Sequence, residues 1–267
     1  MKIAVSGKGG VGKTFVAGSL AARFAGTGRP VIAIDADPAP TLAFALGLSY
    51  EEAEEIVPVA ENEELIRLKT GTATPGVFRL TFSVDDIIRS AAVPTPSGAN
   101  LLVMGTVRAV GAGCTCPAHA VLRALFRHLV VERDEVVVMD MEAGIEHLGR
   151  GTSGNVDLLL IVSDANLRSL EVALTIATLA RGAGIPRIGL VGNRVTGKRQ
   201  EEAIRTFAEK HGIELLAVIP YDEAVADAGM AGTVASMESS AAVRAVAALA
   251  DRLLPPPAGR GTKGGGS

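Results

Sequence analysis

Tryptophan is absent from this 267-residue chain, aromatic residues make up 3% of it, and cysteine occurs only twice, as Cys114 and Cys116. Two thiols one residue apart make no disulfide framework, so the fold must rest on a hydrophobic core. With 48% hydrophobic residues the chain can build one large domain unaided. Long apolar runs are missing too. None approaches the roughly 18–20 residues that span a bilayer, and the opening "IAVSG" runs straight into glycines without a signal-peptide pattern. A membrane partner is therefore not expected, and two unpaired cysteines point to the reducing cytoplasm. The third absence is a basic excess. The 26 Lys and Arg against 29 Asp and Glu leave a net charge of −3, which argues against nucleic acid as a partner.

What is present is an alternation of short apolar runs and longer helical stretches, the pattern of a mostly parallel α/β sheet. Buried parallel strands read as near-continuous apolar segments. Seven fit: residues 2–6, 30–35, 100–105, 135–140, 157–163, 187–193 and 215–220. Helices are expected from Gly12 to about 26–28 and near 118–131, 166–182, 198–211 and 239–253. Residues 1–254 then form a single domain around a seven- or eight-stranded sheet, with 50–98 an irregular surface insertion. The tail at 255–267, "PPPAGRGTKGGGS", is expected to be disordered.

"GKGGVGKT" at 7–14 satisfies G-x-x-x-x-G-K-[ST] and lies between a strand and a helix, where a phosphate loop must lie. Its glycines, including Gly9, Gly10 and Gly12, let backbone N–H groups turn toward phosphate oxygens, with Val11 between them and the following helix adding its positive end. Lys13 is expected on the β- and γ-phosphates, Thr14 on Mg²⁺, and Phe15 against the nucleotide. Lys8 makes the loop the deviant form, K-G-G-x-G-K-T, in which this lysine reaches the phosphates of a facing subunit and acts as an arginine finger does. Asp35 and Asp37, in "IDADP", and Asp140, ending "VVVMD", stand at strand C-termini, where open α/β sheets bind ligands. Asp37 is assigned to orient the attacking water; Asp35 and Asp140 are assigned to the Mg²⁺ shell. Asn193 opens "NRVTGK" at a strand end. Thr196 occupies the position where a guanine-reading carboxylate would stand, so adenine is favoured, with Asn193 on its N6/N7 edge and Pro220 and Tyr221 closing the base pocket. The expected ligands are ATP and Mg²⁺.

Together these residues resemble the MinD/ParA-like ATPases with a deviant Walker A loop, of the SIMIBI type. "GCTC" at 113–116 and "AGIEHLGRGT" at 143–152 narrow the resemblance to the nickel-insertion accessory proteins of carbon monoxide dehydrogenase, the CooC type. Glu142 departs from the glycine expected there. The resemblance implies an ATP-dependent homodimer whose Cys114 and Cys116 meet across the interface and bind Ni²⁺ or Zn²⁺, and carbon monoxide dehydrogenase as the client enzyme. Residue chemistry agrees. Side chains at i and i+2 of an extended segment share a side, glycines before and Pro117 after favour that form, and a two-fold axis turns two sulfurs into four. His119, His128 and His147 fit capping, exposure or packing better than ligation. Two rival functions share the loop. A positioning or partition ATPase would leave the cysteines idle. An iron–sulfur electron donor would need two well-separated cysteines per chain.

Overall fold

The computed structural model describes residues 1–37, 40–65, 84–105, 135–142 and 156–254. The apolar runs form the strands β1 (Lys2–Gly7), β2 (Val31–Asp35), β4 (Asn100–Val103), β5 (Val136–Asp140), β6 (Leu158–Ser163), β7 (Ile188–Val195) and β8 (Glu214–Pro220), each close to its expected position. An eighth, β3 (Val93–Pro94), is two residues long, too short to show as an apolar run. The sheet order is β3-β4-β2-β5-β1-β6-β7-β8. Only β3 runs antiparallel, and its Pro94 sits on the edge strand, where a missing N–H is tolerated. Every residue of β1, β2, β5 and β6 is buried, as expected of strands covered on both faces.

Helices cover the two faces. On one, α1 (Lys13–Gly26) and α8 (Ala241–Leu253) press Val16, Leu20, Phe24, Val246 and Leu249 onto the sheet. A two-pronged ion pair from Arg23 to Asp251, at 2.9 and 2.8 Å, joins these two helices. On the other face α5 (Leu167–Gly182) and α6 (Lys198–Lys210) bury Leu170, Ala173, Ile176 and Ile204. Short helices α2 (Leu42–Ala45) and α3 (Tyr50–Glu54) follow β2, and α7 (Glu223–Ala231) follows β8. The described part of 50–98 is less irregular than its composition implies. It holds α3, helix α4 (Val84–Ala91) and β3, and it buries Val59, Leu65 and Ile88 in the core. The Thr-, Pro- and Gly-rich stretches on either side hid α4, whose own sequence "VDDIIRSA" has none of the three but spans only eight residues. The helix expected at 118–131, residues 66–83 and the tail at 255–267 lie outside the described residues. Among the described residues no helix is long and apolar enough to cross a membrane.

Candidate functional site

Strands β1, β2, β5 and β7 all end on the same edge of the sheet, and the described residues predicted for the nucleotide site gather there. Register fixes part of this. Asp140 pairs with Asp35 on one side and with Val5 of β1 on the other, so the two acids are neighbours just below the phosphate loop. The loop itself turns through left-handed conformations at Gly10 (φ 81°) and Gly12 (φ 91°), which glycine adopts without strain. Helix α1 begins at Lys13 with no side-chain cap and no acid in its first turn. Its orphan N–H groups and dipole are therefore directed at whatever the loop holds, and an anion satisfies both. Lys13 is 7% exposed, and Lys8 projects from the surface.

The acids differ in what they touch. Thr14 Oγ1 donates to Asp140 Oδ2 at 2.6 Å. The other oxygen, Asp140 Oδ1, is buried without a hydrogen-bond partner, an arrangement costly in an isolated protein. Burial, with the Asp35 and Asp37 charges adding, pushes the Asp140 carboxyl up to about 7, against the Thr14 hydrogen bond and the nearby Lys13, which lower it. A divalent cation would resolve the conflict, since it supplies the positive charge and the missing partner together. Asp35 is committed differently. Its Oδ2 accepts from Leu42 N at 2.8 Å and its Oδ1 from Asp37 N at 3.1 Å, so it folds the loop after β2 back onto the strand end. Burial still raises it to about 6, the backbone hydrogen bonds opposing. Asp37 stands half-buried on that same loop and contributes to the field on Asp140.

Asn193 is 3% exposed, and its Nδ2 donates to Val11 O at 2.7 Å. The amide thus grips the phosphate loop from β7, a task in addition to the adenine contact expected of it. Gly12 has no room for a side chain: a Cβ there would strike this Asn193 amide. Asn193 lines a cavity of about 440 Å³ together with Gly12, Phe15, Pro220 and Tyr221, so all the residues expected around the base share one space. The same cavity includes two groups that the sequence did not reveal, Arg194 and Val225, and a third, Asp222, from the "PYDE" loop expected to close the base pocket. Arg194 donates from Nη1 to Gly10 O at 2.6 Å. Val225 comes from α7, a helix not foreseen. Asp222 caps α7 through Ala224 N at 3.0 Å and also accepts from Ser240 Oγ and Ala242 N at 2.9 and 3.0 Å, fastening the pocket wall to the start of α8. An Asp just after the strand-ending "IP" and followed by Glu is an N-cap signal that could have revealed α7.

Beside Glu142, Ser6 Oγ donates to the Glu142 carbonyl at 2.9 Å, holding the chain that leaves β5 against β1 through a backbone contact. The departure from glycine at 142 does not disturb that bond. Cys114, Cys116, His119, His128 and His147 lie outside the described residues. Among the described residues no cluster of three or more His, Cys, Asp or Glu is placed to hold a metal ion.

Comparison with known proteins agrees with this geometry. Residues 2–234 match the CobQ/CobB/MinD/ParA nucleotide binding domain. The carbon monoxide dehydrogenase accessory protein CooC of Rhodospirillum rubrum is 44% identical over 234 residues, 87% of this chain and 88% of that protein. An uncharacterized ATP-binding protein of Methanocaldococcus jannaschii is also 44% identical, over 91% of this chain and 93% of its own length. Among solved structures, a chain of the MinC:MinD cell division protein complex of Aquifex aeolicus superposes with a TM-score of 0.68 at 19% identity, covering 95% of both chains, which speaks to the fold alone. The chain belongs to the CobQ/CobB/MinD/ParA nucleotide-binding family and is a P-loop ATPase of that family.

Proposed function

We propose that this protein is an accessory ATPase that matures carbon monoxide dehydrogenase, using ATP to deliver nickel held by Cys114 and Cys116 of two chains. One observation carries the reading: 44% identity to CooC along nearly its whole length, in a chain whose two cysteines form a single Cys-x-Cys pair. The nucleotide site supports it. Adenine enters the cavity of Asn193, Pro220 and Tyr221, and the phosphates lie along Gly9–Thr14 under the N-terminus of α1. Thr14 and the unpartnered Asp140 oxygen would hold Mg²⁺, with Asp35 shaping the loop that carries Asp37. Bound there, the ion would neutralise charge on the β- and γ-phosphates. Asp37 orients a water for attack on the γ-phosphorus; the new P–O bond forms as the bond to the ADP oxygen breaks. Lys13 and the partner's copy of Lys8 balance the charge spread over the phosphoryl oxygens.

A second lysine that acts only from a facing subunit makes hydrolysis depend on dimerisation. The same two-fold axis brings the Cys-x-Cys segments together, so ATP state and nickel affinity are coupled. Nickel travels as cargo on four thiolates, or zinc in its place, and each bound ion displaces thiol protons. The test is activation of nickel-free carbon monoxide dehydrogenase with limiting nickel and ATP. Wild type is expected to raise recovered activity, and Lys13→Ala and Cys114→Ser to fail. Equal recovery without the protein, or with Cys114→Ser, contradicts the proposal.

A further inference from the structure

The stretch around Asn193 and Arg194 is irregular in a way the nucleotide reading does not use. Gly192 pairs with Val218 and Val195 with Pro220, so Asn193 and Arg194 together stand opposite the single residue Ile219. That is a bulge, a device that re-aims a side chain. In a regular strand the two neighbours would face opposite sides. Here both reach the phosphate loop, gripping consecutive carbonyls: Asn193 that of Val11 and Arg194 that of Gly10. Arg194 has a backbone φ of 56°, the one non-glycine residue with positive φ among those described. A side chain in that region is strained, and such strain gathers where the surroundings enforce a conformation for use. Both residues also line the base cavity.

We propose that Arg194 is a positioning residue for the nucleotide. Resting on the ATPase reading, the proposal is that it holds Gly10 in its left-handed turn and thereby keeps the loop N–H groups aimed at phosphate before ATP arrives. From the wall of the base cavity it also links base entry to loop shape. A charged donor on a carbonyl is among the stronger hydrogen bonds, yet this one is exposed, so its loss should weaken ATP and ADP by about five- to tenfold. Saturating nucleotide restores the loop, so KM rises in proportion while kcat stays within about twofold.

The discriminating variant is Arg194→Gly. It removes the grip and relieves the strained φ at once, so nucleotide affinity falls while the thermal midpoint of the nucleotide-free protein holds or rises. Arg194→Lys should recover part of the affinity. Binding is measured with a fluorescent ADP analogue and ATP competition, alongside thermal melts and steady-state kinetics. Unchanged affinity in Arg194→Gly overturns the proposal. So does weaker binding accompanied by a lower melting midpoint, because the contact would then support the fold and not the nucleotide. Wild-type protein that binds no ATP would instead overturn the ATPase reading, and the two failures are separate.

Discussion

Substitution of Gly12 by alanine tests the packing of the phosphate loop against β7. The residue has φ 91°, where a β-carbon costs about 1–2 kcal/mol or more. The added methyl would also fall on the Asn193 amide. To make space Asn193 must give up its 2.7 Å bond to Val11, and a buried amide that loses its partner costs about 1–3 kcal/mol. Some relief comes from loop movement, so about 2–4 kcal/mol is expected. For a protein of this size that lowers the melting midpoint by roughly 4–8 °C. Gly9 is the control, because a β-carbon there meets no heavy atom within 4 Å; Gly9→Ala should melt within about 2 °C of wild type. A double-mutant cycle with Asn193→Ala localises the cause, since removing the amide removes the collision and the pair should cost less than the sum. A Gly12→Ala protein that melts like wild type, or a strictly additive cycle, would refute the reasoning.

Four further outcomes follow from the site. Asp140 and Asp35 titrate near 7 and 6 in the folded protein, against 3.8 for an unperturbed aspartate. The native state therefore keeps protons that the unfolded chain releases, so the penalty these groups place on folding above about pH 8 is relieved as pH falls through 7 and 6 and is gone below 3.8. Asp140→Asn should flatten that difference in pH-dependent denaturant titrations of nucleotide-free protein, and Mg²⁺-dependent nucleotide affinity should fall below pH 7 in wild type but be low throughout in the variant. Lys13→Ala should abolish hydrolysis and nucleotide binding. Lys8→Ala should keep nucleotide binding but lose turnover and ATP-driven dimerisation, checked by phosphate release and light scattering; full turnover in a dimer would exclude the cross-subunit role. ATP should be preferred over GTP by at least about tenfold, roughly 1.4 kcal/mol, and equal competition would count against adenine reading by this pocket.

Legibility in the sequence varied with the physics behind each feature. Strands buried on both faces are continuous apolar runs, so "KIAVS", "VVVMD" and "DLLLIVS" marked the sheet core almost residue by residue. The phosphate loop was legible because its glycines, lysine and threonine each meet a separate mechanical demand. β3 was not, since two residues carry no periodicity. α7 was hidden because none of its residues is buried and its sequence "EAVADAGMA" lacks an apolar stripe. Arg194 was invisible for another reason: a bulge is a property of two strands, and nothing in "NRV" alone tells that the arginine turns back to Gly10. Asp35 lies at the strand end that "IDADP" indicated, but its contacts with Leu42 and Asp37, which shape the following loop, are not legible in that stretch.

The central claim is that ATP and nickel meet in one symmetric dimer. It is tested most directly by titrating Ni²⁺ into the full chain with Mg²⁺ and a non-hydrolysable ATP analogue, reading stoichiometry by calorimetry and mass by light scattering. One ion per two chains, tighter with nucleotide and lost in Cys114→Ser and Cys116→Ser while nucleotide still binds, is the expected result. One ion per chain in a persistent monomer, or an affinity that neither serine variant changes, would contradict it.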